Sequence, residues 1–207
     1  MTLAKFTSDG KARSPGRPRE FDMDAALDAA LRVFSERGYH ATSISDLTEA
    51  MDLASGSIYK ALKDKRGVFL AAFARYRQLG RRRLEAMVAS AETGREKVFQ
   101  MVMYYTELSY GDAGRKGCLV VGGANDFSLL DEEAAAHVAT AFAADEKLMA
   151  DLIRTGQTDG SIAQTVDADV AALAFLCFTK GLRVIGKTGR GRQEMVAAAE
   201  ASMKLVT

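Results

Sequence analysis

The sequence predicts an all-α protein, and three observations carry that expectation. Apolar residues recur at helical spacing along most of the 207 residues, no alternating strand pattern of any length competes with them, and no internal repeat divides the chain. A hydrophobic share of 48% is enough for one sizeable core, or for a small module joined to a medium one, so disorder is not the expected state. About nine helices account for the pattern.

Residues 1–19 are polar and rich in Lys, Arg, Gly, Ser and Pro, with nothing periodic to bury, and are expected to form a flexible basic arm. A first helix follows from Leu27, Ala30, Leu31 and Phe34, with Asp22 or Asp24 as its cap and Gly38 as its stop. Ser43 caps a second helix of about two turns, with Asp46 as a capping-box partner and Ile44, Leu47 and Met51 as its apolar stripe. After a break at 52–54, Ala54, Ile58 and Leu62 face inward from a third short helix. Asp64 then caps a long fourth one carrying Phe69, Ala72, Phe73, Tyr76 and Leu79.

Beyond residue 88 the helical period continues. Val98, Met101, Val102, Tyr105 and Leu108 make one stripe, and Val138, Ala141, Phe142, Met149, Leu152 and Ile153 another. Residues 111–117 between them suggest a loop, and 119–130 a shorter helix. Two final helices are expected over 167–185 and 193–205.

Composition excludes several classes of function. No stretch approaches the roughly eighteen apolar residues of a membrane span, and no apolar signal segment opens the chain, so a cytoplasmic address is expected. Cys118 and Cys177 show no CxxC spacing, and His40 and His137 have no ligand partners at useful spacing. No disulfide framework, zinc site or other cofactor is therefore called for. No Ser-His-Asp or paired-carboxylate arrangement stands out either, so no enzyme is expected. The net charge of +1 hides an asymmetry: residues 1–83 hold 16 Lys and Arg against 10 Asp and Glu, while 84–207 hold 12 against 17. The basic end is the one suited to a nucleic acid, although Arg77, Arg81, Arg82 and Arg83 equally suit a solvated helix face.

Two short helices joined by a tight turn, the second opening on small polar residues, have the layout of a helix-turn-helix at 43–62. Its first helix crosses the phosphate backbone while the start of the second enters the major groove, where Ser55, Gly56 and Ser57 permit close approach. Tyr59, Lys60, Lys63 and Lys65 place hydroxyl and ammonium donors toward phosphates on the flanks. Without Arg, Asn or Gln, the recognition helix offers Ser57, Lys60 and apolar contacts, which leaves much of the specificity to DNA shape.

The residues Tyr39-His40-Ala41-Thr42-Ser43, Ile44, Ala50, Gly56, Ile58-Tyr59 and Asp64-Lys65 resemble the DNA-binding domain of the tetracycline-repressor (TetR) family over about residues 20–80. The resemblance implies an N-terminal three-helix domain at 20–80 and a helical effector-binding and dimerisation domain at 81–207. It implies phosphate contacts from Thr42, Ser43 and Tyr59, recognition by 55–62, and a backbone contact from Lys65. The sequence departs from the family pattern at Asp52, which replaces a turn glycine, at Ala61-Leu62 and at Lys63. Arg17 is the arm residue best placed to enter a minor groove, although the arm equally suits nonspecific phosphate affinity.

A homodimeric repressor released from a palindromic double-stranded operator by a small-molecule effector is the function the resemblance implies. Tyr104, Tyr105, Cys118, Phe127 and Phe178 are the expected lining of the effector pocket. The helix over 167–185 is apolar almost all round, with Ala171, Ala172, Ala174 and Gly181 permitting close approach, and with Met195, Val196, Ala199 and Met203 it is expected to form the dimer bundle.

Two other motifs bear on function. Residues 181–188 fit the P-loop pattern G-x4-G-K-T, but the segment before it is helical in pattern and 189–192 forbid a helix after it, so nucleotide binding is not expected. Cys118 follows Arg115 and Lys116 at a helix start, where positive charge lowers a thiol pKa. A redox-sensing regulator is the alternative that follows, against a plain packing role for a small buried residue.

Overall fold

The first helix begins where a carboxylate can cap it. Asp22 accepts hydrogen bonds from the backbone N–H groups of Asp24 and Ala25 at 3.0 and 3.3 Å, and α1 runs over Met23–Arg37. The computed structural model describes residues 22–207, so the arm of residues 1–19 with its Arg17 lies outside the described residues. Next come α2 (Ile44–Met51), α3 (Ser55–Leu62), α4 (Lys65–Ala89) and α5 (Gly94–Glu107). The chain continues through α6 (Gly111–Lys116), α7 (Leu119–Asn125), α8 (Glu132–Asp159), α9 (Ala168–Ile185) and α10 (Arg192–Ser202). Short 3-10 turns occupy Phe127–Leu129, Gly186–Thr188 and Met203–Val206. All regular structure among the described residues is helical.

Two local expectations change. The stretch expected as a loop at 111–117 forms α6, with Arg115 and Lys116 in its last turn, where cations complement the free carbonyls. With it, the described residues hold ten α-helices, in keeping with the expected number of about nine. The helix expected over 119–130 ends at Asn125, and the Asp126 carboxylate that follows it accepts a hydrogen bond from the Tyr39 backbone at 3.0 Å.

Two apolar cores lie along the molecule. The first collects Ala30 and Phe34 of α1, Leu47 of α2, Ile58 of α3, and Val68, Phe69 and Phe73 of α4, but it also takes in Leu119 and Val120 of α7 and Val138 and Ala141 of α8. The second holds Leu84 of α4, Val98 and Val102 of α5, Met149 and Ile153 of α8, Phe175 of α9 and Ala199 of α10. Helices α4 and α8 therefore run through both cores, and α4, at 1.5 Å per residue, is about 37 Å long. The expected division after residue 80 falls inside α4, between Tyr76 on the first core and Leu84 in the second, although the first core also takes in α7 and part of α8. Arg66 at the start of α4 pairs with Asp131 at 2.8 Å and with Glu133, adding a second tie between the N-terminal helices and α8.

The P-loop pattern is dismantled by the fold. Gly181 lies inside α9, with no strand before it, and Gly186–Thr188 is a 3-10 turn. A Cβ at Gly186 would stand 2.1 Å from the Ser109 carbonyl oxygen, so this glycine serves helix packing rather than phosphate binding. No helix among the described residues is long and apolar enough to cross a membrane.

Candidate nucleic-acid interface and effector cavity

Helices α2 and α3 are short because their ends are fixed by local chemistry. Ser43 and Asp46 cap α2 reciprocally: the Ser43 hydroxyl accepts from the Asp46 N–H at 3.1 Å, and the Asp46 carboxylate accepts from the Ser43 N–H at 2.8 Å. These bonds to Ser43, reinforced by Arg37 at 2.6 Å, hold the Asp46 carboxyl below its ordinary value. Asp52 ends α2 in the left-handed region at φ 51°, ψ 44°, which Asp tolerates better than most residues, so the missing turn glycine is accommodated.

Helix α3 begins without a side-chain cap, because its N-cap is Ala54. Nothing from a side chain occupies the N–H groups of its first turn, and Ser55 and Gly56 there are exposed. A Cβ on Gly56 would meet nothing within 4 Å. Tyr59 is 53% exposed and Lys60 is also exposed, while Ile58 turns inward. An uncapped helix start flanked by a hydroxyl and an ammonium is a surface suited to phosphate and groove contact.

The departure at Lys63 has a geometric explanation. Its φ of 69° and ψ of −55°, with a hydrogen bond of 2.9 Å from the Asp64 N–H to the Leu62 carbonyl, form the strained γ-turn that reverses the chain between α3 and α4. The turn presses the Leu62 carbonyl toward Gly67, where a Cβ would stand only 1.8 Å from that oxygen.

The expected contact residues sort into three groups. Ser43, Ser55, Tyr59, Lys60 and Lys63 are exposed along the helix-turn-helix, and Ser57 is half-buried beside them. Thr42 is 2% exposed and its hydroxyl donates to the Gly38 carbonyl at 2.7 Å, so its side chain braces the turn after α1. The Lys65 ammonium donates to the Tyr39 carbonyl at 3.2 Å and lies 4.5 Å from the Tyr39 ring centre, so it also acts as a strut inside the domain.

A polar layer separates the two cores, and the sequence reading missed most of it. Asp145 of α8 accepts from Arg77 at 2.7 and 3.2 Å, from the Tyr105 hydroxyl at 2.8 Å and from Lys180 at 2.6 Å. Burial pushes the Asp145 carboxyl up, but Lys180 and Arg77 outweigh it and hold the group below its ordinary value. Beside this cluster the Tyr76 hydroxyl donates to the Cys118 sulfur at 3.4 Å. Burial pushes the Cys118 thiol up, and Arg183, Tyr76, the Val121 backbone and Lys180 together bring it below its usual value.

Two cavities flank this layer and share Tyr76, Gly80, Tyr104 and Leu108. The inner one, about 30 Å³, holds little more than a water molecule and is lined also by Tyr105 and Cys118. The outer one, about 450 Å³, opens between α1, α4, α5, α6 and α9 and is large enough for a small ligand. Of the expected lining residues, Tyr104 faces both cavities, and Tyr105 and Cys118 the inner one. Phe127 and Phe178 line neither: Phe127 sits 46% exposed in the turn after α7, and Phe178 packs against the second core.

On α9, Val170, Leu173, Cys177 and Val184 are exposed along one stripe, and Gly181 in the same stripe has no neighbour within 4 Å of a Cβ. Ala171 and Ala172, expected at a partner, are buried within the chain. Met195, Ala199 and Met203 of the last helix are likewise turned inward.

Comparison with known proteins matches this architecture from end to end. Residues 26–72 fit the family model described as "Bacterial regulatory proteins, tetR family", and residues 94–201 fit "Tetracyclin repressor-like, C-terminal domain". The HTH-type transcriptional repressor ComR of Escherichia coli (strain K12) is 26% identical over 196 residues, covering 93% of this chain and 92% of its own. A cysteine mutant of the TetR family transcriptional regulator CifR, solved in complex with 26-bp double-strand operator DNA, superimposes with a TM-score of 0.83 at 30% identity, covering 93% of this chain and 100% of that one. A regulator of the same family from Cytophaga hutchinsonii, at 22% identity and a TM-score of 0.76, shares the fold. The chain thus belongs to the TetR family of bacterial transcriptional regulators.

Proposed function

We propose that this chain is a homodimeric repressor that holds a palindromic operator through α3 and is released by a small-molecule effector. The observation that carries the DNA contact is the bare start of α3, where Gly56 has open space around it and Tyr59 and Lys60 stand outward. The CifR mutant bound to operator DNA, a relative over nearly the whole chain, supports DNA binding. Dimerisation is supported by the exposed apolar stripe of α9, which a monomer would leave in water. Effector control is supported by the outer cavity, whose wall includes α1 of the DNA-binding helices.

Binding should fall steeply with salt, because each neutralised phosphate releases a counterion. Tyr59→Ala and Lys60→Ala should each weaken binding, and Lys60→Ala should reduce the slope of log affinity against log salt by about one. Fluorescence anisotropy on operator DNA across a salt series reads both effects. Binding indifferent to salt and to both substitutions would remove α3 from the interface.

A second reading, a thiol switch at Cys118, draws on the lowered thiol pKa. It predicts DNA release by oxidant in the wild type only. Oxidant-driven release that persists in Cys118→Ser would discard it.

A further inference from the structure

The outer cavity contains an unmet electrostatic demand. Arg183 of α9 is 3% exposed and lines the cavity, its Nη2 donates to the Gly117 carbonyl, and its Nε and Nη1 are buried without any hydrogen-bond partner. The positive charge is spread over all three guanidinium nitrogens, so these N–H groups call for an acceptor, and the outer cavity is the space that Arg183 lines. The charge around it points the same way. Arg32, Arg83 and Lys116 also line the space, and none of them has a carboxylate at ion-pair distance among the described residues. Of the two acidic residues on the wall, Asp28 is already gripped by Arg75 at 2.6 and 2.8 Å, leaving only Glu36 against four cations.

The rest of the wall is apolar or aromatic: Leu31, Leu79 and Leu108, with the rings of Tyr76 and Tyr104. The neighbouring inner cavity differs in kind, because the Asp145 carboxylate there already satisfies Arg77, Lys180 and Tyr105. It has no place for a second anion.

We infer that the outer cavity binds an amphipathic organic carboxylate, its head group on the Arg183 guanidinium and its hydrocarbon body against Leu31, Leu79 and Leu108. A carboxylate is an acceptor suited to a guanidinium with N–H groups left over, because the ionised pair makes short, charge-assisted hydrogen bonds. Leu31 and Arg32 belong to α1, so such a ligand touches the DNA-binding helices and the α9 side of the molecule at once. Its effect on DNA rests on the operator-binding function proposed above: carboxylate and operator each prefer a different setting of α1, and each weakens the other by the same factor.

The test is calorimetric titration of the full chain with hexanoate, octanoate and benzoate, against octanol and benzyl alcohol as neutral counterparts. Saturable binding of at least one carboxylate, with the matching alcohol at least about tenfold weaker, is the expected result. Arg183→Gln should abolish the preference for the acid. Because that variant alters a buried residue, Arg83→Glu at the exposed mouth provides an independent arm, expected to weaken the carboxylate severalfold and leave the alcohol unchanged. Absence of saturable binding by all three carboxylates, or equal affinity for acid and alcohol, overturns the inference. Anisotropy on operator DNA is read separately: a carboxylate that binds should lower DNA affinity at least about fivefold. Unchanged DNA affinity at saturating carboxylate overturns the coupling, and a chain that binds no DNA at all overturns the operator-binding function while the calorimetry still judges the cavity.

Discussion

Gly56 has no intramolecular reason to be glycine. It sits in the first turn of α3 with open space on every side, whereas Gly67 and Gly186 are each required by a neighbouring carbonyl. In an exposed helix an alanine is about 0.8–1 kcal/mol better than glycine, so Gly56→Ala should raise the unfolding free energy by up to about 1 kcal/mol. The added methyl would stand between helix and groove, and DNA affinity should fall at least about tenfold, which is about 1.4 kcal/mol. Urea titration and anisotropy on the same variant measure the two opposed effects. At this scale the sequence was partly legible: small residues opening a short helix are visible in Ser55-Gly56-Ser57, and so is the exposed Tyr59. The inward hydroxyl of Thr42 and the outward ring of Phe127 were not legible, because residue type does not reveal direction. A threonine at a helix start can face phosphate or its own backbone, and an aromatic in an apolar stretch can still lie on a surface turn.

Among the elements, α4, α5, α8 and α9 are joined across the molecule by the Asp145 cluster. Its members Arg77, Tyr105 and Lys180 lie 68, 40 and 35 residues from the carboxylate in sequence. Helical period identifies which face of each helix is apolar, but not which three charged residues and which tyrosine will meet, so the cluster was invisible beforehand. Its energetics give a sign. The Asp145 carboxyl is held below its ordinary value despite burial, so it stays ionised in the fold at pH values where the unfolded chain has taken up a proton. The stabilisation is therefore complete above the unfolded value of about 3.9 and is lost as pH falls through the folded value. Asp145→Asn, which leaves Arg77 and Lys180 facing a neutral group, should cost about 3–5 kcal/mol at pH 7. The penalty should shrink as the pH falls below about 4. Urea midpoints for wild type and variant at pH 7 and pH 3 check this, and an equal penalty at both would contradict it.

For the whole molecule, the all-helical class and the order of helices were evident from periodicity, because each amphipathic segment announces itself locally. The continuity across residue 80 was less legible, since α4 and α8 share their length between two cores and α7 completes the first one. The exposed apolar stripe proposed as a partner surface lies on α9, but on residues other than those the sequence suggests. Counting apolar residues on α9 could not tell Ala171 and Ala172, which the chain buries itself, from Val170 and Leu173, which it leaves outside. Leu173→Glu should convert the proposed dimer to monomer in analytical ultracentrifugation while leaving the helical content unchanged, because this side chain lies half exposed and outside both cores. Dimeric behaviour retained by Leu173→Glu would assign the interface to another surface.

The central claim is that two copies of α3, held by such a dimer, dock in successive major grooves. Selection of fragments bound by the purified full chain from a pool of random double-stranded DNA tests it most directly. The account predicts an enriched inverted repeat whose half-site centres are about one helical turn, 10–10.5 bp, or a whole multiple of it apart. Enrichment of a single unrepeated element, or no enrichment at all, would contradict it.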